Sequence, residues 1–120
     1  MKILVSASMR FYEQLLPVAE KLRELGHEVD LPEKTTEKLS KTELISQHFA
    51  KLRESDALLV GNVGGYIGTS TFFEAGWAFA LAKPIFTLEK LDETSAFTED
   101  LRAIGVIELD NNFDKLKEEN

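Results

Sequence analysis

The sequence contains no cysteine. That excludes disulfides, thiolate zinc sites and a cysteine nucleophile, and it fits a cytoplasmic protein. Two histidines, His27 and His48, are too few for a histidine-rich metal centre, so no metal is expected. Basic residues are outnumbered, 14 Lys and Arg against 21 Asp and Glu, for a formal net charge of −7. A groove that follows a nucleic-acid backbone needs clustered Lys and Arg. No such cluster occurs, so polymeric nucleic acid is not an expected partner. A small anion held by backbone N–H groups remains compatible with the charge. No apolar run approaches the roughly 18 to 20 residues that span a bilayer, so no membrane segment is expected. The opening MKILVSAS lacks a secretory apolar region and cleavage pattern, and it reads as a strand.

The chain that remains is ordinary in bulk. Its 120 residues, 43% apolar and 29% charged, suffice for one core and not for two. Residues 1–120 are therefore expected to form a single domain. Short apolar runs alternate with helical patterns. KILVSA is a buried-strand run. Leu15, Val18, Ala19, Leu22 and Leu25 then share one helical face, with Pro17 as a kink or first-turn residue and Gly26 as a stop. HEVDLP reads as a short strand. EKTTEKLSKTE is polar and aperiodic, and its length suits a mobile loop, either a lid or plain disorder. ELISQHFAKLRESD is a helix with Leu44, Ile45, His48, Phe49 and Leu52 near one stripe. ALLVGN follows as a strand without alternation, as when both faces are covered. IFTLE and VIEL are further strands, SAFTEDLRAIG is helical, and NNFDKLKEEN is a short helix with a fraying tail. Strands separated by helices give α/β: a five-stranded parallel sheet with helices on both faces, its order expected to be 2-1-3-4-5. In that order the chain reverses between strands 1 and 3, and ligands bind outside the carboxyl ends of the strands at such a switch point. The loops expected there are residues 6–10 and 61–70.

The second of these loops opens GNVGGYIGTSTFFEAGWAFALAKPIF. Gly61, Gly64, Gly65 and Gly68 allow close backbone approach to a ligand. Thr69, Ser70 and Thr71 open a helix whose N-terminus suits a phosphate or sugar hydroxyls. The loop matches neither the P-loop nor the dinucleotide pattern. Glu74 has two readings. Thr71 to Glu74 fits a capping box, and an acid in a first turn suits the helix dipole. Yet Phe72, Phe73, Ala75, Trp77, Ala78, Phe79, Ala80 and Leu81 surround it, and a buried carboxylate needs a partner or a task. Beside an anion-binding loop it can serve as nucleophile or general base at a sugar carbon.

In the first loop, SASMR brings Ser6 and Ser8 to the switch point, with Met9 beside them and Arg10 just beyond. Hydroxyls and a guanidinium there can hold a phosphate; the alternative is that Ser8 caps the first helix and Arg10 is solvated. His48 is either a boundary residue of an apolar stripe or an acid–base group near neutral pH. Asp56 reads as a helix-end or turn residue. Tyr66 is the better candidate for stacking on a base, with Trp77 a core or interface aromatic. Residues 70–82 carry more apolar surface than one small sheet covers, so a homodimer or higher oligomer is expected, with Trp77 or Phe79 near the contact.

SASMR after strand 1, ESDALLVGN as strand 3 and GYIGTSTFFEAGWAFALAKPIF together resemble the nucleoside 2-deoxyribosyltransferase-like superfamily. The most specific part is G-T-x-x-x-x-E-x-G-x-A, here Gly68, Thr69, Glu74, Gly76 and Ala78, with Lys83-Pro84 following. The resemblance implies a three-layer, flavodoxin-like (Rossmann-like) domain, usually dimeric or larger. It implies a nucleoside deoxyribosyltransferase or a 2′-deoxynucleoside 5′-monophosphate N-glycosidase, needing no metal or redox cofactor. The Glu matching Glu74 attacks the anomeric carbon and displaces the base, and in the glycosidases the serine matching Ser8 helps bind the 5′-phosphate. Ser6, Met9, Arg10, Gly64, Gly65, Tyr66, Gly68, Thr69 and Ser70 complete the expected substrate site, with Asn62 or His48 assisting the leaving base. The chain looks like a divergent branch. These enzymes also use an Asp in or just before the third-strand region, whereas no acid lies between Asp56 and Glu74, His48 stands at the glycosidase Asp position, and Gly61-Asn62 stands where a transferase often has an acid. GGYIGTSTFFE also resembles the phosphoribohydrolase loop P-G-G-x-G-T-x-x-E, but with different spacing and no proline. Two other classes stay open: a non-catalytic nucleotide-binding or sensing domain, which the missing Asp favours, and a structural oligomerisation domain.

Overall fold

The computed structural model describes residues 1–32 and 38–119. Five strands, β1 (Lys2–Ser6), β2 (Glu28–Asp30), β3 (Ala57–Val60), β4 (Ile85–Thr87) and β5 (Ile107–Glu108), form one sheet in the order β2-β1-β3-β4-β5. Every pairing is parallel, with Leu4 opposite Leu58, Leu58 opposite Ile85 and Phe86 opposite Ile107. Helices α1 (Tyr12–Glu24), α2 (Lys41–Glu54), α3 (Thr69–Ala80) and α4 (Thr98–Ala103) connect the strands, and a 3-10 helix covers Phe113–Glu119. This is the expected three-layer α/β architecture in the expected strand order. No helix among the described residues is long and apolar enough to cross a membrane.

The lack of alternation along the strands has a simple cause. Successive side chains point to opposite faces, and both faces are covered. Ile3, Val5, Ala57, Leu59 and Phe86 pack with Leu15 and Leu22 of α1 and Leu116 of the last 3-10 helix. Leu4, Leu58, Val60 and Ile85 pack instead with Leu52 of α2, Ala75 and Ala78 of α3 and Leu101 of α4. Pro17 lies inside α1, beyond its first turn, and Gly26 ends the helix region with φ 97°.

The start of α2 differs from expectation. Residues 33–37 of the expected mobile loop lie outside the described residues; the remaining residues of that stretch lead into the start of α2. Ser40 accepts from the Glu43 N–H at 3.1 Å while Glu43 Oε1 accepts from the Ser40 N–H at 3.2 Å. This capping box starts the helix at Lys41, two residues before the expected start at Glu43. At its other end the Lys83 ammonium donates to the carbonyls of Leu52 (2.8 Å), Arg53 (2.6 Å) and Ser55, so a side chain from beyond α3 closes the last turn of α2. Asp56 fastens β3 to β1 by accepting from the Lys2 N–H at 2.7 Å.

Candidate active site

α3 begins at Thr69 with Gly68 as its N-cap, and no side chain caps it. Glu74 is therefore the sixth residue of the helix. The capping-box reading of Thr71 and Glu74 does not hold, because both face inward. Thr71, Glu74, Ala75 and Ala78 form the buried stripe of α3, and Glu74 is only 4% exposed. A carboxylate at that depth must be paired, and it is paired on both oxygens. His48 Nδ1 lies 2.9 Å from Oε1. Ser6, the last residue of β1, donates its hydroxyl to Oε2. Ser6 Oγ is also 3.0 Å from Thr71 Oγ1. A serine hydroxyl carries one proton and an ionised carboxylate only accepts. With the Ser6 proton on Glu74, the Thr71 hydroxyl donates to Ser6 and His48 carries its proton on Nδ1. Three elements, β1, α2 and α3, thus fix one carboxylate.

Above it opens a cleft of about 510 Å³, within the size range of small-molecule sites. The loop after β1 contributes Ala7, Ser8 and Met9; α2 contributes Lys41, Leu44, Ile45 and His48; the start of α3 contributes Gly68, Thr69, Ser70, Thr71, Phe73, Glu74 and Trp77, with Tyr66 and Pro32 at the rim. The walls are largely apolar and aromatic. Trp77 stacks edge-on against Phe49 with ring centroids 4.0 Å apart, while Phe73 and Tyr66 are 59% and 45% exposed. Among the described lining residues Glu74 is the only carboxylate, and Lys41 and His48 are the only basic side chains. Ser8 is the N-cap of the 3-10 turn Met9–Phe11, yet its side chain makes no capping bond, so the cap reading is replaced by a hydroxyl at the cleft wall. No group of three or more His, Cys, Asp or Glu side chains that could hold a metal occurs among the described residues.

Most of the expected site residues converge here: Glu74, His48, Ser8, Met9, Tyr66, Gly68, Thr69 and Ser70 line the cleft, with Ser6 bonded beneath. Four do not line it. Asn62 is fully buried and spends its amide on Glu89, donating to its carbonyl at 3.1 Å and accepting from its N–H at 2.9 Å. It ties the loop to the segment after β4 and lies away from the cleft lining. Gly64 and Gly65 serve the turn instead: both have positive φ, 64° and 84°, and the Gly64 N–H donates to the Glu89 carboxylate at 3.1 Å. Gly61 is required by a close approach, since a Cβ there would sit 2.9 Å from Leu15 Cδ2. Arg10 lays its guanidinium over the Tyr66 ring, 4.0 Å from the centroid, and over Phe11 at 4.8 Å. It braces a rim residue rather than lining the cleft. Lys41 and Phe73 were not singled out as site residues from the sequence. The Ser40–Glu43 capping box was the available signal for Lys41, because it puts residues 41, 44, 45 and 48 on one stripe of α2.

No protein-family model matches the sequence, and no curated protein matches it. Similarity appears among solved structures. A CMP N-glycosidase of Clostridium botulinum, BcmB, superposes with a TM-score of 0.70 at 22% identity, over 98% of each chain. A conserved protein from Enterococcus faecalis V583 superposes with a TM-score of 0.74 at 14% identity, over 98% of this chain and 96% of that one. At 22% and 14% identity these likenesses show the fold: over nearly its whole length the chain has a three-layer α/β fold that a CMP N-glycosidase also has.

Proposed function

We propose that the protein breaks the N-glycosidic bond of a nucleoside or nucleoside monophosphate, with Glu74 as nucleophile. The observation that carries this reading is the Glu74 carboxylate, buried, held on both oxygens by Ser6 and His48, and set in the floor of the cleft. Its helix start needs no such residue. The balanced step is attack of a Glu74 oxygen on the anomeric carbon as the carbon–nitrogen bond breaks; its electron pair leaves with the base, and a proton reaches that base from His48 or solvent. Water, or a second base, then attacks the anomeric carbon as its bond to Glu74 breaks; the carboxylate leaves with that electron pair, and the proton lost by the attacking group returns to His48 or solvent. Before covalent bonding, the same charge stabilises the oxocarbenium-like state. Ser8, Thr69, Ser70 and the free N–H groups at the start of α3 suit a phosphate or sugar hydroxyls, and Tyr66, Phe73 and Trp77 supply aromatic surface for a base. The fold shared with a CMP N-glycosidase supports the same reading. Incubation with CMP, dCMP and the matching nucleosides, with free base read by chromatography, tests it. Base release is expected from at least one of them; none from any nucleoside or monophosphate would sink the catalytic reading.

The second reading is a non-catalytic nucleotide-binding domain, favoured by the absence of a second carboxylate from the described cleft lining. Binding without base release distinguishes it. A homodimer or higher oligomer, with Trp77 or Phe79 near the contact, belongs to the first reading: α3 leaves Phe79 56% exposed outside the cleft, an apolar surface that a second copy would cover. Light scattering giving twice the chain mass or more at micromolar concentration is the expected result, and a monomer would remove the oligomer from the proposal.

A further inference from the structure

We propose that Lys41 holds the phosphate of a nucleoside monophosphate and so makes the cleft select nucleotides over nucleosides. This rests on the reading of the cleft given above. Lys41 is the first residue of α2 and is exposed. A helix N-terminus carries partial positive charge, so a cation there is disfavoured and an acid is favoured. Glu43 meets the dipole and the cap in the same turn. Lys41 does neither, and no described residue pairs with it. It lines the cleft nonetheless.

Its place along α2 gives the task. Lys41, Ile45 and His48 lie on one stripe, and seven residues of helix rise about 10 Å from His48 to Lys41. His48 marks the Glu74 end, where the anomeric carbon must sit. A phosphate on the far side of the sugar then lies toward the mouth, within the reach of a lysine stem. The neutral donors nearby, Ser8, Thr69 and Ser70, can bond a phosphate but do not offset its charge. The need is real in a chain of net charge −7 with a carboxylate in the cleft floor. Arg10 does not line the cleft, since its guanidinium lies on Tyr66. An ammonium on a flexible stem, with three donors, suits this position.

The test uses Lys41→Met, which keeps the apolar stem and the helix propensity, with Lys41→Arg as the charge-restoring control. Both are made in a Glu74→Gln background so that the ligand survives, and melting checks that each variant folds. Calorimetry is run with CMP and dCMP against cytidine and deoxycytidine. The expected result is that Lys41→Met weakens monophosphate binding about tenfold, a loss of about 1.4 kcal/mol, and nucleoside binding by less than about twofold, with Lys41→Arg recovering most of the difference. Monophosphate affinity should also fall with added salt, and fall less in Lys41→Met. Equal losses for nucleoside and nucleotide, or none for either while the Lys41 parent binds CMP, would overturn the role of Lys41 and leave the proposed reaction standing. Failure of the parent and the wild type to bind any of the four ligands would overturn both.

Discussion

The glycine-rich segment between β3 and α3 divides into two halves that look alike in sequence and do different work. In the first half, Gly61 makes room for Leu15, Gly64 and Gly65 turn the chain, and Asn62 closes on Glu89. Every polar group named there is spent on the protein itself. In the second half, Gly68 leaves the first N–H groups of α3 uncapped, Thr69 and Ser70 line the cleft, and Glu74 is held by side chains rather than by backbone. A polar residue consumed by its own backbone is architecture. A polar residue oriented by other side chains at the floor of a cleft is available to a ligand.

The sharpest way to break this contrast is Glu74→Gln. The glutamine can keep one partner on each side, so ligand binding should stay within about tenfold, or about 1.4 kcal/mol. Base release should fall at least about a hundredfold, or about 2.7 kcal/mol of transition-state stabilisation. Full turnover in this variant would end the catalytic role. Asn62→Ala should do the opposite. It strips the Glu89 N–H and carbonyl of their partner, which costs about 2 kcal/mol of stability, while turnover per folded molecule stays within about twofold. Chemical denaturation and turnover on the same sample read both, and a large selective loss of turnover would return Asn62 to the site. Gly64→Ala should be milder still. A Cβ there meets nothing within 4 Å, so the cost is the positive φ alone, about 1 kcal/mol, again without a selective effect on base release.

The smallest expected effect lies far from both halves. Arg102 bonds Glu108 at 3.1 Å and Glu93 at 2.5 Å, and holds both carboxyls below their usual range. Their folded-state pKa values are depressed, so the stability they contribute is present above the ordinary value of about 4.5 and is lost as pH falls through the lower folded value. Melting temperature should therefore drop on acidification below about pH 4.5, and the drop should be shallower in Arg102→Met. An unchanged acid profile would show that this surface cluster contributes nothing measurable.

Much of the architecture was legible because burial on both sides of a parallel sheet leaves unbroken apolar strands, and KILVSA and ALLVGN are such runs. Strand order followed from handedness, and with it the position of the switch point. Glu74 was legible as a charge in a helix too apolar to tolerate one unpaired. What the sequence does not show is where Asn62, Gly64 and Arg10 spend their polar groups, because the partners are Glu89 and Tyr66, which lie apart from them in sequence. The pairing of Glu74 with Ser6 and His48 is not legible, because the partners lie 68 and 26 residues away in sequence. Lys41 is not legible as a cleft residue because the capping box, not the apolar pattern, sets the start of α2.

The Lys83 ammonium at the lower end of α2 has a mechanical corollary. It joins the base of α2 to the segment after α3 through the carbonyls of Leu52, Arg53 and Ser55, while His48 and Glu74 join the same two helices at the cleft floor. Two fastenings at different levels fix the spacing of α2 and α3, so the His48–Glu74 bond does not hold the pair together alone.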